Sequence, residues 1–238
     1  MPLSMFESEL LRANSFAELQ NSLVALDLSV PERSRGRQTH HVERYCIVHL
    51  LSSLGTDQLT YPLVVLHRDR PDFVLSMPNR NIGIEHTEAV PENVAHSEVL
   101  REQRYGHKSY FTPIAVPGEP RKTRAELLLE IEKDEPGDGW VGDSPQRHWA
   151  EAMFHCVKQK IAKCRAAGFE RQPINWLLVY NNWSLPSVNI SRAAEYLMRK
   201  LTEVDAFDCF DSVFALSGLK LCEFIRSGVA IHQRNLAL

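Results

Sequence analysis

The chain has 238 residues and a mass of 27.2 kDa, enough for one or two domains that bury a core without disulfide or metal staples. Hydrophobic residues at 44% and charged residues at 24% exclude a collagen-like, coiled-coil or wholly disordered chain. Lys and Arg number 27 against 30 Asp and Glu, a net charge of -3, so no global basic field exists and any nucleic-acid contact must come from local basic patches.

Ahead of the first helix, MPLSMFESELLRANSF lacks the basic and apolar regions of a signal peptide. No apolar stretch approaches the roughly 20 residues that span a bilayer. The five cysteines include no C-x-x-C pair, which argues against a zinc ribbon or a disulfide framework. The expectation is a reduced, cytoplasmic, soluble protein in which the sequons at Asn182 and Asn189 are accidental.

In chain order, residues 1–40 read as an N-terminal helical extension, with Ser15 capping FAELQNSLVAL and PERSRGRQTHH as a basic loop. VERYCIVHLLSSL is a helix stopped by Gly55. YPLVVLHRDR, PDFVLSM and NIGIEHTEAV follow as three strands of an antiparallel meander, the last two joined by a turn at PNRN. ENVAHSEVLREQR is a helix. Residues 105–146, rich in Gly, Pro and charge, form an insertion holding one further helix, RKTRAELLLEIEK. Residues 147–167 are helical, INWLLVYNN is a buried strand, SRAAEYLMRKL a helix and FDSVFALSG a strand, with KLCEFIRSG and the tail unassigned. The fold class is α/β, a mixed central sheet flanked by helices.

Two acidic residues stand among apolar neighbours on adjacent predicted strands, in Arg70-Pro71-Asp72-Phe73 and Ile84-Glu85-His86-Thr87-Glu88. If the strands pair through PNRN, Asp72 and Glu85 converge, and such a pair suits a hard divalent cation. The plainer reading makes Asp72 a turn residue and Glu85 half of a salt bridge. Helical periodicity adds Glu43, on the stripe of Ile47, Leu50 and Leu54, and Lys160, amid Trp149, Met153, Cys156, Val157 and Cys164. Charges on buried stripes are rare unless paired; the two could pair with each other or Lys160 could snorkel out, but the simpler account is that both join Asp72 and Glu85 at one site.

This pattern resembles the PD-(D/E)xK nuclease superfamily over residues 41–100 and 147–182. The resemblance implies a restriction-endonuclease-like αβββαβ core within residues 41–238, and Mg²⁺ or Mn²⁺ held by Asp72, Glu85 and the backbone carbonyl of His86. It implies hydrolysis of a phosphodiester, in DNA rather than RNA, by an enzyme that could be a homodimer. The family's lysine position is Thr87 here; some members take this lysine from the helix after the three strands, which makes Lys160 the candidate replacement. Glu43 would hold a water or a second metal. A degenerate domain of the same fold that binds nucleic acid or a protein is the alternative.

Basic clusters occur at Arg33, Arg35 and Arg37 with His40 and His41, at Arg68 and Arg70, and at Arg121, Lys122 and Arg124. Arg35, Arg37, Arg68 and Arg70 adjoin the site elements and are the candidate phosphate contacts. Tyr105, Tyr110 and Phe111 could stack on bases or pack inside the insertion. His86-Thr87-Glu88 echoes the H-x-E of zinc deaminases but lacks their P-C-x-x-C partner, and the ten histidines show no zinc-ligand spacing.

Overall fold

The computed structural model of the protein describes residues 7–105, 115, 118–135, 139–183, 185 and 187–234. Its sheet runs β1 (Ser8–Ala13), β2 (Leu63–His67), β3 (Phe73–Met77), β4 (Arg80–Ala89), β5 (Ile174–Asn181), β6 (Ser212–Ser217), β7 (Lys220–Ile225) and β8 (Gly228–Gln233), eight strands in chain order. The described helices are α1 (Phe16–Val24), α2 (Thr39–Ser53), α3 (Glu92–Tyr105), α4 (Arg124–Lys133), α5 (Ser144–Arg165) and α6 (Ile190–Glu203), with a 3-10 turn at Ala206–Asp208. The sheet is mixed. Short turns join β3 to β4 and β6 to β7, which therefore pair antiparallel. Helical crossovers separate β4 from β5 and β5 from β6, which pair parallel.

Alternation along the strands divides the core into two layers. Ile82 and Ile84 of β4, with Trp176 and Leu178 of β5, pack with Cys46, Ile47 and Leu50 of α2. Leu177, Val179 and Ala89 point the other way, onto Trp149, Met153 and Val157 of α5 and Leu197 of α6. The sheet is thus sandwiched between α2 on one face and α5 with α6 on the other. Between β4 and α5 the chain forms α3 and α4.

Two segments depart from the expected layout. The N-terminal segment is not a helical extension. Ser15 does cap α1, accepting from Glu18 N–H at 3.2 Å, but Ser8–Ala13 pairs with β2 as the edge strand of the same sheet. In SELLRA Leu11 and Ala13 are buried, Leu10 packs half-buried against the same core, and the register shifts between Glu9 and Leu11, so no strict alternation marked the strand. The unassigned stretch from Lys220 to Gln233 forms the β7–β8 hairpin.

Within the expected insertion, Thr123 and Glu126 close a capping box at the start of α4. Leu127 and Ile131 of this helix pack on Leu100 of α3, with Tyr105 beside them. Tyr105 therefore belongs to a small apolar cluster, whereas Tyr110 and Phe111 lie outside the described residues. All five cysteines are free and buried. Among the described residues no helix is long and apolar enough to cross a membrane.

Candidate active site

The β3–β4 hairpin pairs Phe73 with Ile84, so Asp72, one residue earlier, comes level with Glu85. The His86 N–H donates to Asp72 Oδ2 at 2.6 Å and fixes that carboxylate. Glu85 shares its face with Thr87 and Ala89, the face covered by α5. Lys160 rises from the middle of the buried stripe of α5. Its Nζ lies 2.6 Å from Glu85 Oε2 and 3.6 Å from Asp72 Oδ2. Asp72, Glu85 and Lys160, from three separate elements, therefore meet at one point.

The electrostatics of this point are unbalanced. Burial pushes the Asp72 carboxyl up to about 6, and the neighbouring Glu85 charge adds to the rise against the opposing pull of Lys160 and the His86 N–H. Two carboxylates face one ammonium, leaving one negative charge uncompensated in a poorly solvated place. Among the described residues no group of three or more His, Cys, Asp or Glu side chains is placed to hold a metal. Mg²⁺ does not require one, since it commonly binds through one or two carboxylates and keeps several waters. The charge deficit and the all-oxygen donor pair fit a hard divalent cation.

Glu43 approaches from the other face. It is 9% exposed, as its place on the α2 stripe predicts, and its Oε2 lies 2.8 Å from His67 Nε2. The His67 ring stacks on Phe73 with centroids 4.9 Å apart. Glu43 and Lys160 thus do not pair with each other; the sheet end separates them. His86 is buried on the Glu43 side, which lowers its imidazole to about 4 and leaves it neutral, and its Nε2 has no hydrogen-bond partner.

Three cavities share Asp72. One of about 720 Å³ lies between the start of α2, α3 and the end of β4, and reaches Glu43, His86, Arg37 and Lys160. A second of about 800 Å³ reaches Glu43, His67 and Arg68. A third of about 390 Å³ holds Glu85, Lys160, Lys163 and Arg70.

The basic candidates part company here. Arg37 lines the first cavity but donates to Glu88 Oε1 at 2.8 Å, beside Arg33 at 2.6 Å and the Asn182 amide. Arg33 also holds Glu98 at 2.9 Å. Arg35 is 74% exposed in the turn at 33–36, pairs with Glu32 at 2.8 Å and lines none of these cavities. Arg68 reaches the second cavity and is tied to Glu7 at 3.1 Å and Glu170 at 3.3 Å. Arg70, 77% exposed, stands at the mouth of the third.

Sequence reasoning passed over Lys163, His67 and Glu88. Lys163 was legible as a second cation one turn from Lys160 on α5. His67 carried a weaker signal, a polar residue in register with Phe73 at the end of an apolar strand. Glu88 gave none, since its role depends on the two arginines that fold onto it. No protein-family model matches this chain, and no curated protein or solved structure is found to be similar to it.

Proposed function

We propose that the protein is a metal-dependent phosphodiester hydrolase of PD-(D/E)xK type, a nuclease on a restriction-endonuclease-like αβββαβ core, acting on DNA in preference to RNA. The observation that carries this reading is the meeting of Lys160 with Asp72 and Glu85. A lysine from α5 stands beside the two carboxylates although Thr87 occupies the family's lysine position on β4. The order α2, β2, β3, β4, α5, β5 supports it as well.

Mg²⁺ or Mn²⁺ would be held by Asp72 and Glu85 with the carbonyl of His86, and when bound it supplies Lewis-acid polarisation of the phosphate and a more acidic water. Lys160 brings a positive charge to the attacking water and to the phosphoryl oxygens as they gain charge. The His86 N–H keeps Asp72 from rotating away. Lys163, Arg37, Arg68 and Arg70 lie along the three cavities as phosphate contacts.

A second reading, a degenerate domain of the same fold that binds nucleic acid or a protein, draws on one observation. Lys160 bonds Glu85 at 2.6 Å, so the triad can also serve as a buried structural ion cluster. Cleavage assays on DNA and RNA with and without Mg²⁺, with Asp72→Ala as control, separate the two. Mg²⁺-dependent cleavage lost in D72A supports the nuclease; equal background cleavage by both proteins leaves only the binding domain.

A further inference from the structure

The Glu43–His67 pair is not needed to hold a cation at Asp72 and Glu85, yet it lines a cavity with Asp72 from the opposite face of the sheet. The register Val65↔Leu75 and His67↔Phe73 puts His67 on the α2 face, while Lys160 arrives from the α5 face. His67 lines the 800 Å³ cavity together with Glu43 and Asp72, and its side chain is 28% exposed, open to that cavity. Its ring is held on two sides, by the stack on Phe73 and by the 2.8 Å bond from Nε2 to Glu43 Oε2. Nδ1 makes no hydrogen bond among the described residues.

A carboxylate bonded to one ring nitrogen fixes the tautomer and supports the imidazolium, so the other nitrogen is left to exchange a proton. Hydrolysis of a phosphodiester is accelerated by such a group, because the leaving oxygen departs with an electron pair and must acquire a proton.

We propose that His67, oriented by Glu43, is the general acid that protonates the leaving oxygen, on the side of Asp72 away from Lys160. This rests on the nuclease reading above. The oxygen of the attacking water bonds to phosphorus and its proton passes to solvent. The bond from phosphorus to the leaving oxygen breaks, and that oxygen takes the Nδ1 proton. His67 is left neutral with its Nε2–H on Glu43, and it regains a proton from solvent. Glu43 is a positioning residue in this step; His67 is the catalytic one.

The test compares an ordinary oligonucleotide with one whose bridging oxygen at the scissile bond is replaced by sulfur, prepared in both the 3′- and 5′-bridging forms. Thiolate leaves without needing a proton. Single-turnover rates are measured in Mn²⁺, which accepts sulfur ligands, for wild type, H67Q, H67N, E43Q and K160M. General-acid catalysis contributes on the order of 100-fold or more, so H67Q and H67N should lose about that factor on the oxygen ester and most of it should return on one thiolate. E43Q should show a smaller loss that sulfur also repairs, and K160M should be slow on every substrate.

Oligonucleotide affinity in EDTA, unchanged in the His67 variants, shows that they are folded. Equal losses on oxygen and sulfur esters by variants that still bind, or no loss at all, overturn the role of His67 and leave the nuclease standing. A wild-type protein that cleaves none of the substrates removes both.

Discussion

Lys160 Nζ lies 2.6 Å from Glu85 Oε2 across 75 residues of sequence, and both side chains are nearly buried. Removing one partner of a buried ion pair leaves the other uncompensated and costs about 3–5 kcal/mol. K160M should therefore lower the melting temperature more at pH 8 than at pH 5, where Asp72 takes up a proton. Cleavage by K160M should fall at least about 100-fold if the ammonium stabilises developing charge. Thr87 shares the face of Glu85, so adding T87K to K160M should restore part of that rate. Thermal melts at both pH values and single-turnover cleavage check the set.

Asp72 makes a distinct pH prediction. Its carboxyl is raised from 3.8 to about 6 mainly by burial, so the folded state binds this proton more tightly than the unfolded chain. Its contribution to stability is greatest below pH 3.8 and is lost as pH rises through 6. D72N removes the charge, and its Oδ1 can still accept from His86 N–H. Without added metal it should be more stable than wild type by about 1–3 kcal/mol at pH 8, and nearly equal at pH 4. Urea denaturation across pH measures this, and a wild type more stable than D72N at pH 8 contradicts it.

His49 has the opposite sign. Burial lowers its imidazole to about 4, and its Nδ1 is buried without a hydrogen-bond partner. The folded state keeps it neutral, so its contribution is whole above the unfolded value of 6.5 and is lost as pH falls from there to 4. The loss amounts to about 3 kcal/mol at its fullest. H49Q should flatten the acid limb of the stability curve over that window. An unchanged slope counts against it.

Glu88 Oε1 receives Arg33 and Arg37 at 2.6 and 2.8 Å, and the two arginine side chains are 16% and 13% exposed. E88Q leaves two poorly solvated guanidinium groups short of charge and should cost about 2 kcal/mol. Arg35, exposed and paired with Glu32, should tolerate alanine within about 0.5 kcal/mol. Chemical denaturation of both variants makes the comparison, and equal losses would mean that Glu88 carries no special share.

Much of the site was legible because its residues broke local patterns. Glu43 and Lys160 interrupted apolar helical stripes, and Asp72 and Glu85 interrupted apolar strands joined by a tight turn. A hairpin joined by two residues leaves little freedom of register, so Asp72 and Glu85 could be placed side by side in advance. Their neighbours were harder to read. SELLRA lacks a clear period, and its identity as β1 depends on the open edge of β2. The fate of Arg35 depends on a turn whose direction leaves no periodic trace.

The local periods of the chain determined that this is an α/β protein with acidic residues and a lysine on buried faces, since such periods depend on neighbours three or four residues away at most. Only the tertiary structure decided which charge meets which. Lys160 goes to Glu85 and Asp72, Glu43 to His67, and Arg33 with Arg37 to Glu88. Those pairings depend on which face of the sheet each helix covers. Packing of the whole apolar surface sets that choice, and no short window of sequence contains it.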